Sequence, residues 1–164
     1  MLIYLMRHAI AVERGNEAYL DDDRPLTDKG KRKMSEASGG MVSLIRDIDL
    51  ILTSPLKRAH ETALIAARAL KAEHKLQICK ELASGSSLKN LLTHVGKHRD
   101  LHSLMLIGHE PDLGFLATAL LGYEGSIIEF KKGSICCIDA SSLPPRSKGT
   151  VLWHLQPKHL RALS

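Results

Sequence analysis

The sequence contains few aromatic residues. Its 164 residues include one tryptophan, three tyrosines and two phenylalanines, or 4 % aromatic residues in all. Proteins that bind single-stranded nucleic acid stack bases on aromatic side chains and interleave these with basic residues. That pattern is missing here, although the net charge is +5. We therefore expect no nucleic-acid partner, and we expect the excess charge to form either a solvated basic surface or a site for an anion.

Long apolar runs are also missing, and cysteines are few. Runs such as residues 104–107 are far shorter than the roughly 20 residues that a membrane-spanning helix needs. The N-terminal residues MLIYLMRHAIAV carry Arg7 and His8 inside the apolar stretch, unlike a secretory signal peptide. The three cysteines are an odd number, which indicates reduced thiols rather than disulfides. We expect a cytoplasmic protein with no membrane partner.

Length and patterning predict one α/β domain over residues 1–164. Short apolar segments predict strands at residues 2–6, 50–53, 76–79 and 103–107. Segments of helical period predict helices from the N-cap Thr27 to about residue 46, from the N-cap Ser54 and Pro55 to about residue 70, over residues 87–96, and from Glu110 and Pro111 onward. Because parallel strands need crossover connections, this alternation predicts a three-layer sandwich, with a mostly parallel sheet covered by helices on both faces.

The last third of the sequence changes character. After Gly122, the segments at residues 126–130, 134–140 and 150–155 are rich in β-forming residues. They are separated by the turn sequences KKG and LPPRSKG. We expect three late strands that are at least partly antiparallel.

Four chemically useful side chains follow the predicted parallel strands. The first strand ends at Arg7 and His8, the second leads to Arg58 in the next helix, and the fourth ends beside His109. In such sheets, ligands bind beyond the carboxyl ends of the strands. The sequence therefore predicts a pocket suited to a dianionic phosphoryl group, without an acidic cluster that would hold a metal ion.

Each of these residues has a physical role in phosphoryl transfer. A neutral imidazole with one nitrogen held as a donor is a good nucleophile, so His8 is the candidate nucleophile. Arg7 and Arg58 can hold the phosphoryl oxygens in a bidentate manner. His109, protonated beside a phosphate, can donate to the same oxygens.

These residues also carry a resemblance. The segment LMRHA around Arg7 and His8 resembles the Arg-His-Gly signature of the histidine phosphatase superfamily, also called phosphoglycerate mutase-like. The segment SPLKRAHET, which holds Arg58, resembles its Ser-Pro-x-x-Arg-Ala-x-x-Thr motif, and Gly108 with His109 resembles its second-histidine motif. The segment RPLTDKG at residues 24–30 is similar to an Arg-Pro-Leu-Thr-x-x-Gly segment of SixA-type phosphohistidine phosphatases.

The resemblance implies a fold, a mechanism and two further site residues. It implies a phosphoglycerate mutase-like fold and phosphoryl transfer without metal or cofactor, through a phosphohistidine intermediate on His8. It implies a phosphate pocket of Arg7, Arg58 and His109. By position after the third strand, Glu81 is implied as the general acid. Arg24 either contacts the phosphate or anchors the following helix.

Departures from the superfamily pattern bear on the substrate. Ala9 stands where glycine is common, and residues 10–12, IAV, replace the Glu-Thr of mutases and many small-molecule phosphatases. The chain is also too short for large lid insertions. These features favour an open site and a protein-borne phosphate over a sugar phosphate.

Three functional hypotheses follow. The first is a phosphatase that acts on a phosphohistidine-bearing protein of the signalling or phosphotransfer type. The second is a small-molecule phosphomonoesterase of the same superfamily, and the third is a non-catalytic module that binds phosphate or phosphohistidine. A metal site at His94, His98 and His102, which share a helical spacing, is disfavoured because residue 103 begins a predicted strand.

Overall fold

Six strands form one mixed sheet in the computed structural model, which describes residues 1–140, 143, 145 and 147–164. The strands are β1 (Leu2–Arg7), β2 (Leu50–Thr53), β3 (Leu76–Ile78), β4 (Ser103–Gly108), β5 (Ile135–Asp139) and β6 (Thr150–Leu155). Their order across the sheet is β3-β2-β4-β1-β5-β6. The pairs β3 with β2, β2 with β4 and β4 with β1 are parallel, whereas β5 and β6 add antiparallel strands at one side.

Helices cover both faces of the sheet. They are α1 (Asp28–Leu44), α2 (Lys57–Ala69), α3 (Leu88–Val95), α4 (Asp112–Leu120) and α5 (Pro157–Arg161). The first core cluster holds buried residues of α1, α2 and α5, and the second holds those of α3 and α4. This confirms the predicted three-layer α/β class. In the described part of the chain, no helix is both long enough and apolar enough to cross a membrane.

The central strand β1 is buried on both of its faces, which explains its continuous apolar sequence. Tyr4 and Met6 pack into the first core cluster, and Ile3 and Leu5 pack into the second. A strand covered on both faces needs apolar residues at every position rather than at every second one. The continuous run at residues 2–6 is therefore the expected signature of this strand.

Short 3-10 turns complete the connections. They cover Asp21–Asp23, Glu73–Lys75, Lys80–Leu82 and Gly96–His98. The first precedes α1, the second links α2 to β3, the third links β3 to α3, and the fourth follows α3. The turns at Asp21–Asp23 and Lys80–Leu82 position site residues that are described below.

The late strands correct one part of the sequence prediction. The segments predicted at residues 134–140 and 150–155 contain the antiparallel strands β5 and β6 as expected, but residues 126–130 form no strand. Two backbone N–H groups of this segment donate to side chains instead of to a neighbouring strand. Ile127 N–H donates to Thr118 Oγ1, and Phe130 N–H donates to the Glu110 carboxylate. The turn predicted over LPPRSKG includes residues 144 and 146, which lie outside the described part of the chain.

Two helix starts and one whole helix also differ from the prediction. Helix α2 begins at Lys57 with Leu56 as its N-cap, and Ser54 Oγ, which lies beside His109 Nε2, also accepts the Leu56 N–H over 3.3 Å. Helix α4 begins at Asp112, two residues later than Glu110. The five-residue α5 was not predicted. It packs so closely on α1 that a Cβ at Gly40 would overlap the Leu160 carbonyl oxygen.

Candidate active site

The parallel strands bring the predicted residues to one edge of the sheet. Arg7 ends β1 and His8 follows it, Arg58 lies in the first turn of α2 after β2, and His109 follows β4. These side chains and Arg24 line one cavity of about 440 Å³, here called the polar cavity. Its other lining residues are Glu13, Arg14, Ser84, Glu110 and Lys132.

The His8 imidazole is held in one tautomer by the backbone. Its Nδ1 lies 2.8 Å from the carbonyl oxygen of Ala9. A carbonyl can only accept a hydrogen bond, so Nδ1 carries the proton and Nε2 carries the lone pair. Burial, joined by the nearby His109, Arg58 and Arg7, lowers the pKa of His8 to about 3. The ring is therefore neutral at physiological pH, as a nucleophile requires.

A hydrogen-bond relay ties His8 to helix α2. The backbone N–H of Ala9 donates to Thr62 Oγ1 over 3.0 Å, and the Thr62 hydroxyl donates to the carbonyl of Arg58 over 2.7 Å. On the other side, the His8 N–H donates to the Gly108 carbonyl. Thr62 stands in the SPLKRAHET segment, but the sequence alone assigned it no role. The relay fixes His8 relative to Arg58.

Arg58 is buried, Arg7 is half-buried, and both are only partly bonded. Arg7 donates from Nη1 to the Phe130 carbonyl over 2.7 Å, and Arg58 donates from Nη1 to the Asp21 carbonyl over 2.8 Å. The Nε atoms of Arg7 and Arg58 have no hydrogen-bond partner among the described residues. A buried unpaired N–H group is costly. Guanidinium groups with spare donors beside a cavity are what a dianion would bind.

Asp21, which the sequence did not single out, holds the arginines in place. Its carboxylate lies 3.0 Å from Arg24 Nε, 3.0 Å from Arg14 Nε and 3.5 Å from Arg58 Nη2. Arg24 also donates to the Val12 carbonyl. Arg24 therefore lines the polar cavity while it anchors the loop before α1, and its contact with a phosphate stays a prediction.

His109 is oriented by Ser54. His109 Nε2 lies 2.8 Å from Ser54 Oγ, and Nδ1 is buried without a partner in the part of the chain that the structure describes. Burial, followed by the charges of Arg58 and Arg7, lowers the pKa of His109 to about 3. The protein groups alone thus favour a neutral ring, and the expected protonated form depends on the charge of a phosphate beside it. Ser54 therefore positions this ring, and it also accepts the Leu56 N–H just before α2 begins.

Glu81 does not line the polar cavity. Its carboxylate Oε2 accepts a hydrogen bond from the Cys79 thiol at 3.4 Å and lies 3.5 Å from His94 Nδ1. Its own backbone N–H is the largest influence that lowers the pKa of the Glu81 carboxyl, whereas a general acid must hold its proton. The role of Glu81 as general acid stays a prediction that neither its position nor its pKa supports.

Glu110 is a carboxylate that the sequence analysis missed. It lines the polar cavity, and Oε1 accepts the backbone N–H of Phe130, whose carbonyl in turn receives Arg7. Burial raises the pKa of Glu110. The only sequence signal was its position beside His109, where it was interpreted as the start of a helix.

The three histidines considered for a metal site, His94, His98 and His102, do not come together as one group of possible ligands. A different group forms around His94. Cys79, Glu81 and His94 place their ligand atoms within 4.8 Å of one another, and His98 and His102 are not part of this group. Thiol, carboxylate and imidazole are ligands that zinc accepts. In the structure, however, Glu81 accepts the hydrogen bond from Cys79 and lies against His94 Nδ1.

Comparisons with known proteins agree with this geometry. The family model of the histidine phosphatase superfamily (branch 1) matches residues 3–84. An uncharacterized protein of Picosynechococcus sp. is 38 % identical over 138 residues, which cover 82 % of each chain. An uncharacterized protein of Mycobacterium tuberculosis is 28 % identical over 122 residues, or 74 % of this chain and 73 % of that protein.

Solved structures show the same fold at low sequence identity. The protein histidine phosphatase SixA complexed with tungstate superposes with a TM-score of 0.82 at 22 % identity, covering 98 % of this chain and 99 % of that one. A phosphoserine phosphatase from Entamoeba histolytica superposes with a TM-score of 0.65 at 15 % identity, covering 97 % and 98 %. The fold is thus the phosphoglycerate mutase-like fold that SixA has, and the chain belongs to the histidine phosphatase superfamily.

Proposed function

We propose that this protein is a phosphohistidine phosphatase that acts on a phosphorylated histidine of a signalling or phosphotransfer protein. The observation that carries the proposal is the fixed tautomer of His8, whose Nδ1–H donates to Ala9 and whose Nε2 lone pair can attack phosphorus. Arg7, Arg58 and His109 surround the same cavity and supply the donors for the phosphoryl oxygens.

The reaction takes two displacements at phosphorus. In the first, a bond forms between His8 Nε2 and phosphorus while the bond from phosphorus to the substrate imidazole breaks. The substrate imidazole, protonated beforehand on its other ring nitrogen, leaves as the neutral ring with the bonding electron pair. In the second, a water molecule attacks the His8 phosphoenzyme, inorganic phosphate leaves, and the His8 lone pair returns. The arginines hold the equatorial oxygens in both steps.

The place of Glu81 supports a phosphohistidine substrate. When imidazole leaves as the neutral ring, its conjugate acid has a pKa near 6.5, whereas water has a pKa of about 15.7 and alkoxide leaving groups are comparably basic. Imidazole therefore departs with little help from an acid. A site whose predicted acid points to Cys79 and His94 suits this leaving group better than an alkoxide.

Other parts of the proposal follow from the donor set and from the fold. The site would need no metal, because two guanidinium groups and His109 supply the positive charge for the phosphoryl group. SixA, whose fold this chain shares, is a protein histidine phosphatase. The buried free thiols of Cys79, Cys136 and Cys137 suit the reducing cytoplasm.

The test compares substrates under chelation. We expect kcat/KM for a phosphohistidine peptide to exceed that for p-nitrophenyl phosphate at least tenfold in the presence of a chelator, and both activities to be lost in His8→Asn. Strong dependence on added metal would contradict the proposal, as would equal or faster turnover of the ester. Tight phosphate binding without turnover would identify a non-catalytic binding module.

A second candidate is a small-molecule phosphomonoesterase. Glu110 favours it, because this carboxyl lines the polar cavity and burial raises its pKa, as a proton donor to an alkoxide would need. The fold similarity to a phosphoserine phosphatase agrees with this candidate. Under this alternative, Glu110→Gln would slow hydrolysis of an alkyl phosphate far more than hydrolysis of a phosphohistidine peptide.

A further inference from the structure

A second cavity adjoins the polar cavity and has a different lining. It measures about 240 Å³ and is here called the apolar cavity. Its apolar lining residues are Leu82, Leu88, Leu91, Leu113 and Phe115, and its polar ones are Glu81, Ser86, His109 and Asp112. The proposed reaction uses only His109 of this set. Such an enclosed space beside a reactive site, with mostly apolar walls and a few polar groups, is typical of a binding site.

The two cavities are separated by one ring and one short loop. His109 lines both of them. In the loop after β3, Ser84 lines the polar cavity and Ser86 lines the apolar one. Between them, the Gly85 N–H donates to Asp112 Oδ2 over 2.9 Å, which ties the loop to the start of α4. A molecule bound at His8 therefore extends past His109 or this loop to reach the apolar cavity.

We propose that the apolar cavity binds an apolar side chain of the phosphorylated partner, from a residue close to the phosphohistidine. This inference rests on the proposed function and adds a specificity subsite to it. The phosphohistidine imidazole is bonded directly to the phosphorus that His8 attacks, so it stays within the polar cavity. What enters beyond His109 must be joined to it through the partner's backbone.

The exposed rim of the cavity gives the subsite an entrance. Phe115 on α4 is 40 % exposed, whereas Leu82, Leu91 and Leu113 are buried. When a partner covers a large apolar side chain that is partly in water, the burial of its surface favours binding. Because Phe115 is exposed, it can be changed with less disturbance of the core than the buried leucines.

The experiment measures a preference in a set of phosphohistidine peptides. Each peptide carries a leucine or an alanine at one position within four residues of the phosphohistidine. We expect one position at which leucine raises kcat/KM about tenfold over alanine, mainly through KM, which is the size of effect that one apolar side chain gives in a pocket. In Phe115→Asp this preference should vanish, while kcat/KM for p-nitrophenyl phosphate stays unchanged.

The control variant is Val42→Asp, on helix α1 and outside both cavities. Val42 is 48 % exposed, close to the value for Phe115, so a general effect of an added surface charge would appear in both variants. The control should keep the leucine preference. A wild-type protein with no preference at any position would overturn the inference, as would a Phe115→Asp variant that keeps the preference.

Two further outcomes separate this inference from the proposed function. If no phosphohistidine peptide is hydrolysed although p-nitrophenyl phosphate is, the proposed function fails and the inference fails with it. If Phe115→Asp instead lowers kcat/KM for octyl phosphate and leaves the peptides unaffected, the cavity holds the apolar part of a small ester. In that case the side-chain proposal is wrong.

Discussion

The polar and apolar cavities share His109 but are built from different parts of the fold. The polar cavity takes its functional groups from the ends of parallel strands and from the first turn of α2, where the backbone converges by topology. The apolar cavity takes its walls from the loop after β3 and from helices α3 and α4. Sheet topology thus places the groups suited to a phosphoryl group, whereas the covering elements form the cavity that we propose for selectivity.

Removing a charge from the polar cavity should have the largest effect. Arg58→Ala is expected to lower kcat about 10²–10³-fold, because a donor to the developing phosphoryl charge is lost. Arg68→Ala, on the same helix but with a side chain that is 79 % exposed, is the matched control and should change kcat less than twofold. Steady-state kinetics on a phosphohistidine peptide measures both.

The Arg58 variant also separates the roles of the two cavities. Arg58→Ala should keep the preference for a peptide with a flanking leucine, because Arg58 does not line the apolar cavity. Arg58→Lys keeps the positive charge and therefore controls for a folding defect in Arg58→Ala. Its kcat should still fall at least tenfold, because lysine cannot form the bidentate contact. Full activity of Arg58→Lys would contradict the assigned role.

Acid should destabilise the protein through the histidines of the polar cavity. Burial lowers the pKa of His8 and of His109 to about 3, below the unfolded value near 6.5. As pH falls from 6.5 toward 3, the unfolded chain binds protons that the folded chain does not, so the free energy of unfolding decreases. Each histidine contributes at most about 1.4 kcal/mol per pH unit.

Urea unfolding between pH 7 and pH 4.5 checks this expectation. His109→Asn should show a shallower loss of stability than the wild type over this range. The exposed His74 offers a control, because His74→Asn should leave the slope as it is. An unchanged slope in His109→Asn would show that this ring is not held neutral by the fold.

Disturbing the orientation of His109, which lines both cavities, should have a smaller effect. Ser54→Ala removes the hydroxyl that lies 2.8 Å from His109 Nε2, and we expect kcat to fall five- to tenfold with little change in KM, the size expected for one hydrogen bond. The pH profile of kcat should shift as well, since Ser54 acts through His109. Ser38→Ala, a buried serine of α1, is the control, and an equal loss of kcat there would indicate a merely structural effect.

Glu81 should matter least for a phosphohistidine substrate. Glu81→Gln is expected to lower kcat less than threefold, because the imidazole leaving group needs little acid help and Glu81 does not line the polar cavity. The measurement compares the variant with wild type on a phosphohistidine peptide and on an alkyl phosphate. A 10²-fold loss on both substrates would restore Glu81 as the general acid.

The parts of the fold that the sequence predicted well depend on local signals. The buried strands β1, β2 and β4 are nearly continuous apolar runs, and Thr27 caps α1 by accepting from the Gly30 N–H as its type and position indicate. The convergence of Arg7, His8, Arg58 and His109 followed from parallel topology alone. The predictions succeeded where short-range pattern and sheet topology determine the outcome.

The residues that were missed depend on contacts between distant segments. Asp21 lies in a 3-10 turn without any apolar period, and its role comes from its contact with Arg58, 37 residues away. Ser54 has the sequence signature of a helix cap, yet its hydroxyl contacts His109, 55 residues away. Helix α5 forms against Gly40 of α1, and nothing in its five residues indicates that packing.

The central claim is that His8 accepts the phosphoryl group on Nε2. The most direct measurement is rapid acid-free quenching of the wild-type protein with a phosphohistidine peptide, followed by ³¹P NMR and peptide mapping of the trapped protein. The account predicts one phosphoryl group on His8, bonded at Nε2, that forms and decays at rates compatible with kcat and that is missing in His8→Asn. Turnover without any phosphoenzyme, or a phosphoryl group on Nδ1 or on another residue, would contradict it.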